Sequence, residues 1–477
     1  MADLLTQRQR LFARRFTAGL TPALATEIRN AGTPRAWFVR QLDHTAVSDA
    51  PGAAVDAWFP SLQRTPRQIF QRQVDEIQGS WEVMYDLSRW TVTRRLRSKR
   101  QVYEQMVDFW SNLLHVPLGH DEAAFHRVSY DQVIRRHALG SFDDLLVEAI
   151  THPAMGLFLD NATSSKDAPN ENLGREVLEL HSVGVEAGYT EEDVLQSSRL
   201  LTGYRVDLWW PDFRAFYDQS WHYTGRIDVL GFSHANTSTD GRAATEAYLR
   251  YLARHPATAR RIAGRLAQRF VSDTPSEALV NKLANVYLRN GSAIKPVLMA
   301  LVDHPDFLAS YGKKIRTPME DWLATARALR IGVKAPTSDD SFVNAMVWQY
   351  KTMGAAPYEW SAPDGYPETG AAWTSAGRVL GSLDLHRTLA AGWWPTEQAT
   401  YRPMTAWLPA LPATVAQVID HLGRELLGQT VSAAVRQAVA TSVGLPLDRR
   451  VTRDDLWDYR VMTMLASLLD SPIHFYR

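Results

Sequence analysis

The chain has 477 residues, 45% of them hydrophobic, with 52 basic side chains against 52 acidic ones and no cysteine. The missing cysteine excludes disulfides, thiolate nucleophiles, zinc–cysteine sites and iron–sulfur clusters. Zero net charge argues against a general nucleic-acid or polybasic membrane surface, and no run of about 18 apolar residues is there to span a membrane.

The N-terminus MADLLTQRQRLFARRF is basic and amphipathic with no apolar run behind it, so it lacks the core of a secretory signal. As written, the chain reads as soluble and cytoplasmic, or as extracytoplasmic if a leader has been removed. Thr21-Pro22, Thr33-Pro34 and Thr65-Pro66 predict helix starts, each a capping threonine with proline at the first helical position. The Ala- and Pro-rich stretch 48–60 predicts a loop. Two helices follow over 79–115. In the second, Val102, Met106, Phe109, Trp110 and Leu113 share a core face flanked by Asp108, Asn112 and His115. Further helices follow over 129–160, with Gly140 as a C-cap. His152-Pro153, His255-Pro256 and His304-Pro305 read as three more helix starts rather than metal ligands.

After Tyr204 the chain turns aromatic and β-branched, which predicts a small β-hairpin flap around 204–232. Helices resume from 241. A loop is expected at 332–341, and 354–373 reads as an irregular loop around the turn Pro363-Asp364-Gly365. Residues 374–477 are again helical in pattern. No internal repeat or flexible linker shows. The expectation is a mainly α fold, one compact multi-helix domain over 1–477 carrying the β flap.

The densest set of ionisable residues lies in 169–204, PNENLGREVLELHSVGVEAGYTEEDVLQSSRLLTGY. Asn170 suits an N-cap and Glu171 the first turn. At about 100° per residue, Leu173, Val177, Leu180 and Gly184 form an apolar stripe. Asn172, Glu176 and Glu179 flank it on one side and His181 on the other. Arg175 stands four residues from both Glu171 and Glu179, the spacing of an ion-pair ladder. Thr190 and Asp193 predict a capping box for the next helix.

This stretch resembles the signature of the bacterial family known only as domain of unknown function 1800: Glu-Asn, Arg-Glu, Glu-Leu-His, Gly-Val, Gly-Tyr-Thr, Asp-Val and a closing Leu-Thr-Gly-aromatic. FWSNLLHV is similar to its Phe-Trp-x-Asn-His segment, with Leu113 where the family has histidine. RRHALGSFDDLLVEAITHPAMGLFLDN, HPATARRIAGRLAQRFVSD, KKIRTPMEDWLATARAL and APDGYP also match. The resemblance covers most of residues 10–390. It implies a mainly helical protein, often exported and often encoded beside a sulfatase-like family, hence a partner protein or an extracytoplasmic polymer. It supplies no catalytic residues.

Three readings of these residues stand side by side. The first is a carboxylate-based hydrolase or transferase acting on a glycan or other polar polymer. There Glu176 is the general acid/base, Glu171 or Glu179 the second carboxylate and Arg175 the group that orients them. Asn172, His181, Asp193 and His222 would assist binding, and Trp209, Trp210, Trp221 and Tyr223 would line a stacking wall. The second is a scaffold or partner-binding protein whose Glu/Arg motif is a buried ion-pair network. The third is a metal-dependent enzyme using Glu176, Glu179 and a distant histidine such as His222. His181, two residues from Glu179, does not complete the Glu-x-x-His di-metal pattern, and the sequence specifies no cofactor.

Overall fold

The expected Thr-Pro helix starts form. Thr21, Thr33 and Thr65 accept through their side chains from the N–H groups of Leu24, Ala36 and Gln68, with proline in the first turn. The histidines of the three His-Pro pairs do the same work. Nδ1 of His152, His255 and His304 accepts from the N–H of Ala154, Ala257 and Asp306. These imidazoles are spent on otherwise unpaired helix donors. The computed structural model describes residues 4–208 and 213–477.

The expected loop at 48–60 is instead a chain of short helical turns, Ala50–Ala53, Ala54–Trp58 and Pro60–Gln63. Asp49 explains the difference. Its carboxylate accepts from the N–H of Gly52, the hydroxyl of Ser98 and the N–H of Lys99. Pro51 and Pro60 fall in first turns, where a missing N–H costs nothing.

The β flap is two antiparallel hairpins. The first pairs β1 (Tyr204–Val206) with β2 (Ala215–Tyr217), and the second pairs β3 (Ile227–Val229) with β4 (Phe232–His234), two residues beyond the expected limit. Leu230 and Gly231 turn the second hairpin, both at positive φ, which suits the twist of a two-residue loop. Among the described residues the other regular elements are helices, apart from two further two-residue strand pairs. No helix is long and apolar enough to cross a membrane among the described residues.

Buried apolar side chains form two clusters. One gathers Phe12, Phe16, Trp110 and Phe142 with Leu173, Val177 and Leu178 of the signature stretch. The other gathers Val83 and Leu87 with Trp322, Phe342, Trp407 and Leu465. The Gln101–Leu113 helix belongs to the first, with Val102, Met106, Phe109, Trp110 and Leu113 all buried. Its Asp108 meets Arg95 and Arg269. Arg269 also reaches Glu320 and Glu368, and Arg477 pairs with Glu320. Buried charges of this kind are tolerated because each finds an opposite partner.

Candidate functional site

The signature helix starts where the sequence places it. Asn170 Oδ1 accepts from the N–H of Asn172 at 2.9 Å, and an α-helix runs over Glu171–Glu176. It then widens into a π-helix over Val177–His181, a form that occurs mostly as single turns and often at functional sites. The hydroxyl of Ser182 donates to the carbonyl of Val177, and the N–H of Gly184 donates to the carbonyl of Leu178 at 2.9 Å. The wider turn breaks the phase of an ideal helix. Leu178 and His181 therefore point inward, and Leu180 is only half-buried. His181 is fully buried, not on a polar flank. Its Nδ1–H donates to the carbonyl of Leu113 at 3.2 Å, and its Nε2 has no partner. Burial lowers its pKa to about 4, so the ring is neutral.

Arg175 pairs with Glu171 at 3.4 Å and with Glu191 of the following helix at 2.5 Å, not with Glu179. Glu179 accepts instead from the hydroxyl of Tyr189 at 3.0 Å. Glu176 is half-buried, and its Oε2 is hidden from water with no hydrogen-bond partner. Desolvation and the neighbouring Glu179 push its pKa up. Asp364 adds to this, and Arg175 opposes it. Asp364 is held from its own loop, where Trp360 Nε1 donates to its Oδ1 at 2.7 Å. A carboxyl group inclined to keep its proton thus stands among two other carboxylates.

Residues 112–118, the end of the Gln101–Leu113 helix and the run that follows it, tie these segments together. Asn112 exchanges hydrogen bonds with the backbone of Tyr366, at 2.8 and 2.7 Å. His115 Nε2–H donates to the carbonyl of Trp360 at 2.6 Å, and burial lowers this imidazole to about 4. Leu118 N–H donates to the carbonyl of Tyr358 at 2.9 Å. Leu113 offers its carbonyl to His181. Its backbone thus meets the signature histidine. Sequence reasoning placed no function on Asp364 or Trp360. The APDGYP motif contains Asp364 but reads locally as a turn, and Trp360 lies just before it.

The remaining predicted residues lie apart from this cluster. His222 is buried, Nδ1 against the carbonyl of Thr202 at 3.0 Å and Nε2 against Asn236 Oδ1 at 3.1 Å. Trp221 lies under Arg205 and Tyr223 under Arg199. Asp193 completes the capping box with Thr190 and accepts from the N–H of Leu230 at 3.0 Å, fastening the second hairpin. Asn172 donates to Asp160 at the surface. Among the described residues, no hydrogen bond, ion pair or ring contact joins Trp221, His222 or Tyr223 to Glu176 or Glu179. Trp209 and Trp210 lie outside the described residues.

One set of three potential metal-ligand atoms occurs among the described residues, and it is elsewhere: Asp321, His386 and His474, with ligand atoms within 4.8 Å of one another. Glu176, Glu179 and His222 do not form such a set. His386 is clamped between Asp321 at 3.1 Å and Asp470 at 2.8 Å. Burial opposes its charge, but the two aspartates override burial and raise it to about 9. The imidazolium, with Arg378 at 3.4 Å from Asp321, already balances both carboxylates. A divalent ion would leave a buried surplus of positive charge, so the chemistry favours a proton here over a metal.

The sequence profile of a family described as Protein of unknown function (DUF1800) matches residues 11–476. No curated protein and no solved structure matches the chain.

Proposed function

The chain belongs to the family described as Protein of unknown function (DUF1800), and from the cluster built around its signature we propose a carboxylate-based hydrolase or transferase acting on a glycan or other polar polymer. One observation carries the reading: Glu176 Oε2 is hidden and unpartnered beside two carboxylates. A carboxyl kept protonated above its ordinary range is the usual form of a general acid. Glu176 takes that role. Glu179, poised by Tyr189, or Asp364, poised by Trp360, is the second carboxylate. Arg175 and Glu171 serve as the brace to the Glu191–Leu200 helix, which is the part of the motif that supports a scaffold reading.

The test compares wild type with Glu176→Gln across neutral polysaccharides, acidic polysaccharides and phosphoesters. The amide keeps the shape and removes the titrating group. Loss of a general acid lowers turnover by about 10²–10⁴-fold. The alkaline limb of the wild-type pH profile, set by deprotonation of Glu176, should flatten in the variant. Equal activity in the two proteins removes Glu176 from the chemistry.

A further inference from the structure

A groove of about 690 Å³ opens between the backbone that leaves the π-turn, 183–187, and the Pro256–Phe270 helix. Three arginines of that helix line it: Arg260, Arg261 and Arg265. Arg260 is spent on Glu277 and Asn281. Arg261 donates through Nε and Nη2 to the carbonyl of Leu180, at 3.3 and 2.9 Å, and its Nη1 lies beside Gly184. Arg265 has neither a hydrogen bond nor an ion pair among the described residues, and its Nε is buried without a partner. A guanidinium carries five donors, and a buried one left without a partner, as Nε is here, costs free energy.

The nearby acids do not fill it. Glu368, the carboxylate whose charge Arg265 feels, is bonded to Arg269 and Asn112. Glu179 is taken by Tyr189. Glu186 lines the rim and is exposed. Arg261 and Arg265 also stand one helical turn apart, where like charges repel. Burial and then Arg265 lower the pKa of Arg261. Between them sits Gly264, in mid-helix, and a Cβ there would meet nothing within 4 Å. Glycine is a poor helix residue. At this position it keeps open the floor between two arginines.

We infer that the groove over Gly264, between Arg261 and Arg265, is a binding site for an oxyanion: the carboxylate, sulfate or phosphate group of a ligand. Arg265 presents its planar fork to the anion, Arg261 adds Nη1, and the 183–187 backbone forms the facing wall. The site stands whether or not Glu176 transfers a proton. It adjoins the signature through Arg261 and Leu180, and it would select acidic ligands for whatever occurs there.

Calorimetric titration of the full chain tests this with inorganic sulfate, inorganic phosphate, polygalacturonate, dextran sulfate and neutral dextran. Saturable binding of at least one anionic probe is expected, weakening as sodium chloride rises, with none for neutral dextran. Binding of the inorganic ions assigns a free oxyanion, and binding of the charged polymers alone assigns a polymer-borne group. Arg265→Gln should weaken binding by roughly 10-fold or more. Gly264→Leu should abolish it by filling the floor, with an unchanged or higher melting temperature because leucine is the better helix former. The inference is overturned if no anionic probe saturates, if neutral dextran binds equally, or if both variants bind like wild type. These readouts are binding alone, so a negative result is separable from a negative result for Glu176.

Discussion

Gly365 stands at φ +71°, and a Cβ there would lie 2.1 Å from the carbonyl oxygen of Asn112. Only a residue without a side chain lets the Asp364 loop come this close to the helix end that also anchors His181. Gly365→Ala should cost about 2–4 kcal/mol, from left-handed strain plus overpacking, read as a lower urea midpoint. It should also release Asp364 from the neighbourhood of Glu176. At this scale the sequence was partly legible. Glu176 is recognisable at the edge of a helical stripe because its neighbours on the wheel are local. Asp364 is not, because what gives it meaning is its electrostatic effect on a carboxyl group far away in the chain.

Elements were most legible where their ends are local chemistry. Thr190 accepts from the N–H of Asp193 while Asp193 accepts from the N–H of Thr190, a box confined to four residues. Thr190→Ala should cost about 1 kcal/mol, measured by chemical denaturation. Glu191→Gln, which removes an exposed ion pair with Arg175, should change stability much less. The signature helix shows where such reading fails. Helical phase assumes 3.6 residues per turn, and no local pattern announced the π-turn at Val177–His181. That single change turned His181 inward and removed Glu179 from the Arg175 ladder.

Across the whole molecule, buried charge sets the response to pH. His386 titrates near 6.5 when free and near 9 between Asp321 and Asp470. Its folded pKa is the higher one, so its contribution is full below about pH 6.5 and is lost as pH rises through about 9. Urea midpoints should therefore fall across that window, and His386→Gln should flatten the slope while lowering stability at neutral pH. Glu320 acts with the opposite sign. Burial opposes its ionisation, but Arg477 and Arg269 hold it at about 2, so its contribution is lost as pH falls from 4.5 through about 2. Neither group stood out in the sequence, where His386, Asp470 and His474 lie in unremarkable helical contexts. Their pairing is a product of packing.

Asn112, His115 and Leu118 hold the 358–366 loop at successive points along one short run of backbone. All three grips must break before such a loop can leave, so its full release is rarer than the loss of any one of them. Release of the loop would carry Asp364 away with Trp360 and leave Glu176 with Glu179 as its carboxylate neighbour.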